Sequence, residues 1–334
     1  MNAPRICVVG AGAVGSTLAA HLALAGQRVS LLARGERRGA LLRDGLRYAA
    51  HGEDEVRIEV PVGTADELGT HDIVFTAVKA HSLPALIPDL RKVIGEGASI
   101  VPLVNGIPWW FFLGAGAPTR VLAVDPLGVL ADAFAASRIV GAVVYLTATM
   151  EAGGLVRSHA HRKLELGDID GDTRERTRAI AEMLSEAGIS TAAVANIRER
   201  MWTKVALNLA TNPLSVVTGA TLSEMFTDPL LQPLILAVAN EVREVAAAYG
   251  AQLAMDDAQM IAVGRAAGPF KTSMLQDFTK GAPLELGAIA DACIELSRQK
   301  GVETPVSSAI AALAAFRVGR SMLEDAPMLE DARP

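Results

Sequence analysis

Cysteine is scarce in this chain. Cys7 and Cys293 are the only two in 334 residues, too few for a disulfide framework. Cys7 lies inside an apolar run and reads as a small buried hydrophobe. A reducing cytoplasm is the expected compartment. Aromatic residues are scarce as well, at 4%, which sets off the crowded Trp109-Trp110-Phe111-Phe112 stretch. Basic charge is not in excess. Thirty-one Lys and Arg against 37 Asp and Glu leave a formal net charge of −6, the wrong sign for a nucleic-acid partner. No clean membrane-spanning run exists either. Residues 97–119 carry no charge and residues 205–225 carry only Glu224. The first is interrupted by Pro102, Asn105, Gly106 and Pro108, the second by Asn208, Asn212, Pro213 and Gly219. A lipid-spanning helix tolerates such residues poorly, so both stretches read as protein interior lining a cavity. No signal peptide is expected, since the N-terminal apolar run leads directly into a glycine-rich turn. No internal repeat or low-complexity segment stands out. With 51% hydrophobic and 20% charged residues, the chain is globular and long enough for two domains.

What is present begins at the N-terminus. Arg5-Ile6-Cys7-Val8-Val9 reads as a strand, Gly10-Ala11-Gly12-Ala13-Val14-Gly15 as a turn, and Ser16-Thr17-Leu18-Ala19-Ala20-His21-Leu22 as a helix. The glycines keep the G-x-G-x-x-G spacing of a dinucleotide-binding βαβ unit. Gly10 permits the tight turn, Gly12 lets the backbone approach a pyrophosphate, and Gly15 lets the helix lie close on the strand. The positive end of the helix then faces the phosphates. At the end of the second strand, residues 28–33, NAD-preferring sites usually place an acid. This chain has Arg34, followed by Gly35-Glu36-Arg37-Arg38. A guanidinium can fork onto a 2′-phosphate that a carboxylate would repel, so NADP(H) is the expected cofactor. The alternative makes Arg34 a solvated turn residue and gives the ribose to Glu36. Lys79, after the apolar run 72–78, is a second candidate cation at the cofactor crevice.

Strand patterns continue at 56–62, 72–78, 99–104, 121–123 and 139–149, with helical patterns such as 82–93 between them. They predict an α/β fold, an N-terminal Rossmann-type doubly wound sheet. Residues 141–150, 154–161 and 163–167 read as added strands at its far edge, antiparallel in one arrangement. Residues 179–187 form a closing helix ended by Gly188. From Asn196 onward strand signals vanish, and helical patterns follow at 197–210, 229–249, 258–267, 284–300 and 306–318. Asp228 caps the second of these, with Pro229 at its first position and Gly250 beyond its end. The expected organisation is a Rossmann-like NADP-binding domain over 1–194, a C-terminal all-helical domain carrying substrate and catalysis over 195–322, and a fraying tail over 323–334.

Three clusters could do chemistry. Lys204, Asn208 and Asn212 stand at i, i+4 and i+8, along one helix face in apolar surroundings. Buried ammonium and amide groups need partners, which a polar ligand or a network between helices would supply. Pro213 should end or kink that helix near Asn212. In the second cluster, around Lys271-Thr272-Ser273, Ser273 and Glu285 are candidate ligand groups, while Thr272 or Ser273 could equally be a helix cap. The third is Asn105-Gly106, a turn after an apolar strand that would face the cofactor crevice.

Taken together, these pieces resemble the ketopantoate reductases (2-dehydropantoate 2-reductases) over nearly the whole chain. The glycine turn, Ala33-Arg34-Gly35, Val78-Lys79, Asn105-Gly106, the Lys204/Asn208/Asn212-Pro213 helix and Ser273-Met274-Leu275-Gln276-Asp277 with Glu285 occur in the family's order and spacing. The resemblance implies NADPH-dependent reduction of 2-dehydropantoate to pantoate, a step of pantothenate biosynthesis. It implies that Arg34 and Lys79 hold the 2′-phosphate and that Asn105 sits beside the nicotinamide ribose and the substrate. Lys204 would be the general acid. Asn208, Asn212 and Ser273 would hold the 2-keto acid, and Glu285 would anchor the cofactor or orient the reacting groups. It leaves room for a homodimer, and calls for neither nucleic acid nor membrane.

The match departs from the pattern at Phe270, where members usually carry an asparagine, and after Glu285, where Leu286-Gly287 replaces an acidic-aromatic pair. Trp109 and Trp110 either pack between domains or, with Phe270, build a more apolar pocket for a bulkier 2-keto acid. Sites built to hydrogen-bond one group discriminate strongly, so one lost amide can change preference. A dehydrogenase for another acid and a catalytically idle NADP(H) sensor are the rival readings. His159 and His161 share a strand face, but no cysteine or acid completes a metal set, and none is expected. His21 and His81 read as packing or surface residues.

Overall fold

The computed structural model describes residues 3–114, 120–171 and 173–324, without the side chains of 160, 161 and 321–324. By its internal contacts the chain divides into Met1–Met201 and Trp202–Pro334. The sequence pattern drew that line at 194. The helix that opens the second half starts inside the first unit, so a change in texture precedes the change in packing.

In chain order, the first unit contains β1 (Arg5–Val9), α1 (Ala13–Leu24), β2 (Arg28–Leu32), α2 (Gly35–Asp44), β3 (Leu46–Ala49), β4 (Val56–Ile58), β5 (Val62–Gly63), α3 (Ala65–Leu68), β6 (His71–Thr76), α4 (Ile87–Val93), β7 (Ile94–Pro102), α5 (Val129–Ala133), β8 (Val140–Met150), β9 (Val156–Asp168), α6 (Glu175–Glu186) and β10 (Ser190–Ala193). One sheet is entirely parallel, in the order β5-β2-β1-β6-β7. The chain moves outward from β1 in one direction to β2 and in the other to β6, so β1 and β6 flank the switch point where such sheets bind ligands. A second sheet runs β10-β9-β3-β4, with β8 antiparallel to β9. Helix α1 touches strands of both sheets, and its buried Leu18, Ala19 and Leu22 join Ile6, Phe75, Leu164 and Leu166 in one core. That explains a helix apolar nearly all round.

Several sequence expectations need correction here. Residues 154–161 and 163–167, expected as two strands, form the single strand β9, which pairs antiparallel with β8; both build the second sheet and do not edge the first. Alternation reports a strand and is silent on which sheet receives it. Residues 56–62 split into β4 and β5, which belong to different sheets. Residues 121–123 form a turn, closed by Asp125 N–H donating to Val121 O at 2.9 Å. Residues 82–93 form two 3₁₀ turns, Ala80–Ser82 and Pro84–Leu86, before α4. Pro84 and Pro88 remove the donors a continuous helix would need.

Helix α7 (Ile197–Thr218) crosses from the first unit into the second. After it come α8 (Leu222–Thr227), α9 (Leu231–Ala248), α10 (Asp257–Ala266), α11 (Ser273–Thr279), α12 (Ala292–Lys300) and α13 (Pro305–Glu324). Among the described residues this unit has no strand. The cap expected at Asp228 and the first helical position expected at Pro229 both fall short of the helix: α9 starts at Leu231 with Leu230 at its N-cap, and Asp228 Oδ1 accepts from the N–H groups of Leu230 and Leu231 in the turn before it. Gly264 lets α10 lie against α8, because a Cβ there would overlap the Phe226 ring. Trp202 is fully buried and stacks on Tyr249. α13 runs to Glu324, into the stretch expected to fray, and the rest of that tail lies outside the described residues. No described helix is long and apolar enough to cross a membrane.

α7 does not stop at Pro213. It continues to Thr218. The proline costs the Leu209 carbonyl its helical donor. Nearby hydroxyls bond the flanking turns instead: Thr211 Oγ1 donates to Leu207 O and Ser215 Oγ to Asn212 O, each at 2.7 Å. Leu209, Ala210, Leu214 and Val216 are all buried around it, and that packing outweighs one missing bond.

Candidate functional site

Two sets of residues can handle a ligand, one in each unit. In the first unit β1 runs into Gly10, whose φ of +107° is closed to ordinary side chains. A Cβ there would also lie 2.6 Å from Val78 Cγ1, so the segment beyond β6 presses on the turn. A Cβ on Gly15 would overlap the Gly10 carbonyl oxygen. At Gly12 the added atom would meet nothing within 4 Å. Gly10 and Gly15 are thus glycine for the fold, whereas Gly12 faces open space. Gly12 caps α1 through no side chain, and the helix proper starts at Ala13 and Val14. Its first-turn N–H groups and positive end are therefore available to an anion. Ser16 Oγ donates to Ala11 O at 3.1 Å, which fixes the back of the turn.

Arg34 is exposed, caps α2 and is paired with Asp89 of α4, its Nε lying 3.1 Å from Oδ2. Sequence reasoning missed Asp89, which sits far along the chain. It also missed Arg37, whose guanidinium reaches Ala11 O at 3.1 Å. The only signal for Arg37 was its place in the basic run after β2. Lys79 is half-buried just past β6, where Ser82 N–H donates to its carbonyl. Asn105 follows β7 in a turn whose Gly106 has φ +78°. Trp110 is 1% exposed. Its ring lies against Gly141 and under the Arg198 guanidinium, both within the first unit. Trp109 neighbours Phe134.

In the second unit α7 presents Lys204 and Asn208 half-buried and Asn212 at 4% exposure. Dense packing around Lys204 strips water from its ammonium and lowers its pKa to about 8, against the opposing pull of the Glu285 carboxylate. The structure thus couples Lys204 and Glu285 electrically across 81 residues of sequence (285 − 204). Asn212 Nδ2 is buried with no hydrogen-bond partner. One turn on, Ser215 Oγ bonds Thr272 Oγ1 at 2.6 Å, and Thr272 caps α11 by accepting from Leu275 N–H at 3.1 Å. Ser273 is therefore not the cap, and it is exposed. Phe270 is half-buried, and its carbonyl accepts from Leu222 N–H.

Glu285 precedes a π-helical turn, Gly287–Asp291, where an uninterrupted α-helix from 284 was expected. Such turns insert an extra residue and are frequent at functional sites. His21 bridges Ala187 O and Tyr48 OH, each at 2.8 Å, a packing role. Among the described residues no three His, Cys, Asp or Glu side chains converge as a metal set, and the side chain of His161 lies outside them.

Comparison with known proteins covers most of the chain. The family model for ketopantoate reductase PanE/ApbA matches residues 6–171, and the model for its C-terminal part matches residues 196–317. A 2-dehydropantoate 2-reductase of Mesorhizobium japonicum is 36% identical over 313 residues, covering 92% of this chain and 96% of the relative. A crystal structure of a candidate ketopantoate reductase from Ralstonia solanacearum MolK2 is 36% identical and superposes with a TM-score of 0.88, covering 95% of this chain and 98% of the other. A D-mandelate dehydrogenase in ternary complex with NADH and anilino(oxo)acetate shares the fold at 22% identity, with a TM-score of 0.83 and coverage of 95% and 99%. The chain belongs to the ketopantoate reductase family and is an oxidoreductase acting on a 2-keto acid.

Proposed function

We propose that this enzyme uses NADPH to reduce a 2-keto acid to the 2-hydroxy acid, with 2-dehydropantoate as first substrate. The observation that carries the reading is the α7 face, a lysine held near pKa 8 in line with a buried, unpartnered amide. A buried polar atom with no partner costs stability, and a ligand acceptor would remove that cost. The open approach at Gly12, beside the positive end of α1, suits a dinucleotide diphosphate. Gly10, Ala11, Gly12, Ala13, Val14 and Gly15 would cradle it.

When bound, the nicotinamide supplies a hydride to the ketone carbon. Lys204 donates a hydrogen bond to the carbonyl oxygen, where negative charge grows, and then the proton. A pKa near 8 leaves it mostly charged at neutral pH yet willing to release that proton. Glu285 keeps the ammonium charged before the reaction. Asn208, Asn212 and Ser273 hold the keto acid, and Asn105 sits by the nicotinamide ribose. Arg34 and Lys79 take the 2′-phosphate. The Arg34–Asp89 pair is exposed and is worth at most about 1 kcal/mol, so a phosphate can displace the carboxylate.

Phe270 supports a second reading, a bulkier and more apolar 2-keto acid. The D-mandelate dehydrogenase on the same fold acts on an aryl acid by name, and its structure holds NADH. We place the enzyme in the cytoplasm, where its two buried thiols stay reduced. A homodimer is the assembly to test by sedimentation.

NADPH oxidation followed with a panel of 2-keto acids tests the proposal. Turnover is expected with 2-dehydropantoate. Turnover confined to aryl acids would select the second reading, and tight NADPH binding with no turnover would leave a sensor. Arg34→Ala should lower the preference for NADPH over NADH, and an unchanged ratio would remove Arg34 from the phosphate site.

A further inference from the structure

Three arginines stand at the cap and first turn of α2, and two of them have acids. Arg34 pairs with Asp89, and Arg38 forks onto both oxygens of Glu67 at 2.7 and 2.9 Å. Arg37, between them, is half-buried and bonds only neutral acceptors. Its Nε donates to Ala11 O at 3.1 Å, one terminal nitrogen to Gly154 O at 3.1 Å and the other to Ser16 Oγ at 3.3 Å. Among the described residues no carboxylate pairs with it. Burial takes water from the guanidinium and lowers its pKa, as expected of a cation without a counter-charge. The fold makes room for this arrangement. Gly154 has φ +82°, and a Cβ there would sit 2.6 Å from the Arg37 terminal nitrogen. A half-buried charge is costly unless paired, so an uncompensated one asks what completes it.

We infer that Arg37 is the fixed counter-cation behind the diphosphate subsite, completed by the diphosphate of a bound dinucleotide. This rests on the cofactor reading above. Arg37 is a positioning residue that acts through the Ala11–Gly12 peptide. In a trans peptide the C=O and the following N–H point in opposite directions. Arg37 Nε and Ser16 Oγ both hold the Ala11 oxygen, so the Gly12 N–H is turned away from Arg37. A donor is thereby aimed outward before any ligand arrives, with a cation behind it. The diphosphate is common to NADP⁺ and NAD⁺, so the effect is blind to the 2′-phosphate, unlike that of Arg34.

The test is calorimetric titration of the full chain with NADP⁺, NAD⁺ and 2′-AMP, which lacks the diphosphate. Arg37→Gln is expected to weaken both dinucleotides by a similar factor, about tenfold, and to leave 2′-AMP within twofold. Arg37→Lys keeps the charge without the fork and should recover part of that loss. The gap between wild type and Arg37→Gln should narrow as salt rises. If the glutamine variant does not fold, the lysine variant carries the test, with a smaller loss of the same pattern. Dinucleotide affinities within twofold of wild type, a loss confined to NADP⁺, or an equal loss for 2′-AMP would each overturn the assignment. A wild-type chain that binds no dinucleotide would instead overturn the proposed function, and this assignment with it.

Discussion

The glycine turn and the α7 face prepare for a ligand by opposite means. The turn works by omission: side chains are missing at three positions, and in the proposed function backbone groups do the binding. The α7 face works by inclusion, placing an ammonium and two amides among packed apolar residues and leaving one amide nitrogen unpartnered. A backbone site costs the fold little, because helix ends lack partners in any case. A buried side-chain site does carry a cost in the empty protein. On the proposed function, the first unit can be stable and ligand-ready together, while the second gives up stability for chemistry.

Breaking the side-chain site should give the largest effect. Lys204→Ala should lower kcat by about 10²- to 10⁴-fold while leaving NADPH affinity within twofold. Equal losses in both would end the general-acid assignment. With wild type, kcat/KM should fall as pH rises past about 8, where the ammonium loses its proton. Stability should move the other way. The folded pKa of about 8 lies below the ordinary 10.5, so between those values the unfolded chain binds more protons and folding gains as pH rises. A Lys204→Met chain should lack that rise, which denaturant melts at a series of pH values would reveal.

The backbone site should respond by position. Gly15→Ala forces the turn apart and should cost about 3 kcal/mol or more of folding stability. Gly12→Ala meets no atom in the empty protein, so its melt should match wild type while dinucleotide affinity drops. Equal melting losses for both would mean the space at Gly12 is not a binding approach. The smallest effect is expected at Asn212. Asn212→Leu removes the unpartnered Nδ2 and should stabilise the empty chain by about 1–2 kcal/mol while raising the KM for the keto acid. A lower melting point would show that the amide already had its partner.

Much of the turn was legible in sequence because its signal is local. Gly10, Gly12 and Gly15 follow an apolar run, and each position has its own steric reason. The Lys204-Asn208-Asn212 row was legible as a face, since helical spacing needs only one helix. What escaped was non-local. Nothing near Arg34 announced Asp89, and nothing near Arg37 announced that Gly154 would bend to admit it. As a stop signal Pro213 misled, because the penalty of a lost bond is local, whereas the burial that outweighs it is tertiary. The second sheet escaped because alternation in β8 and β9 does not name the neighbour. The resemblance named both Lys204 and Glu285, and the shift at Lys204 shows that the two charges act on each other.

The π-helical turn at Gly287–Asp291 turns a matter of length into a matter of aim. Removing one residue there would let the segment relax into an ordinary α-helix. Residues 292–300 are anchored by Ala292, Cys293, Leu296 and Ser297, so they would keep their seat. The adjustment would fall upstream and carry Glu285 around the axis by about 100°, the angle one residue occupies. The charge opposing the drop in Lys204 basicity would swing out of register. A single-codon deletion, with every functional side chain still encoded, would then make the ammonium more acidic.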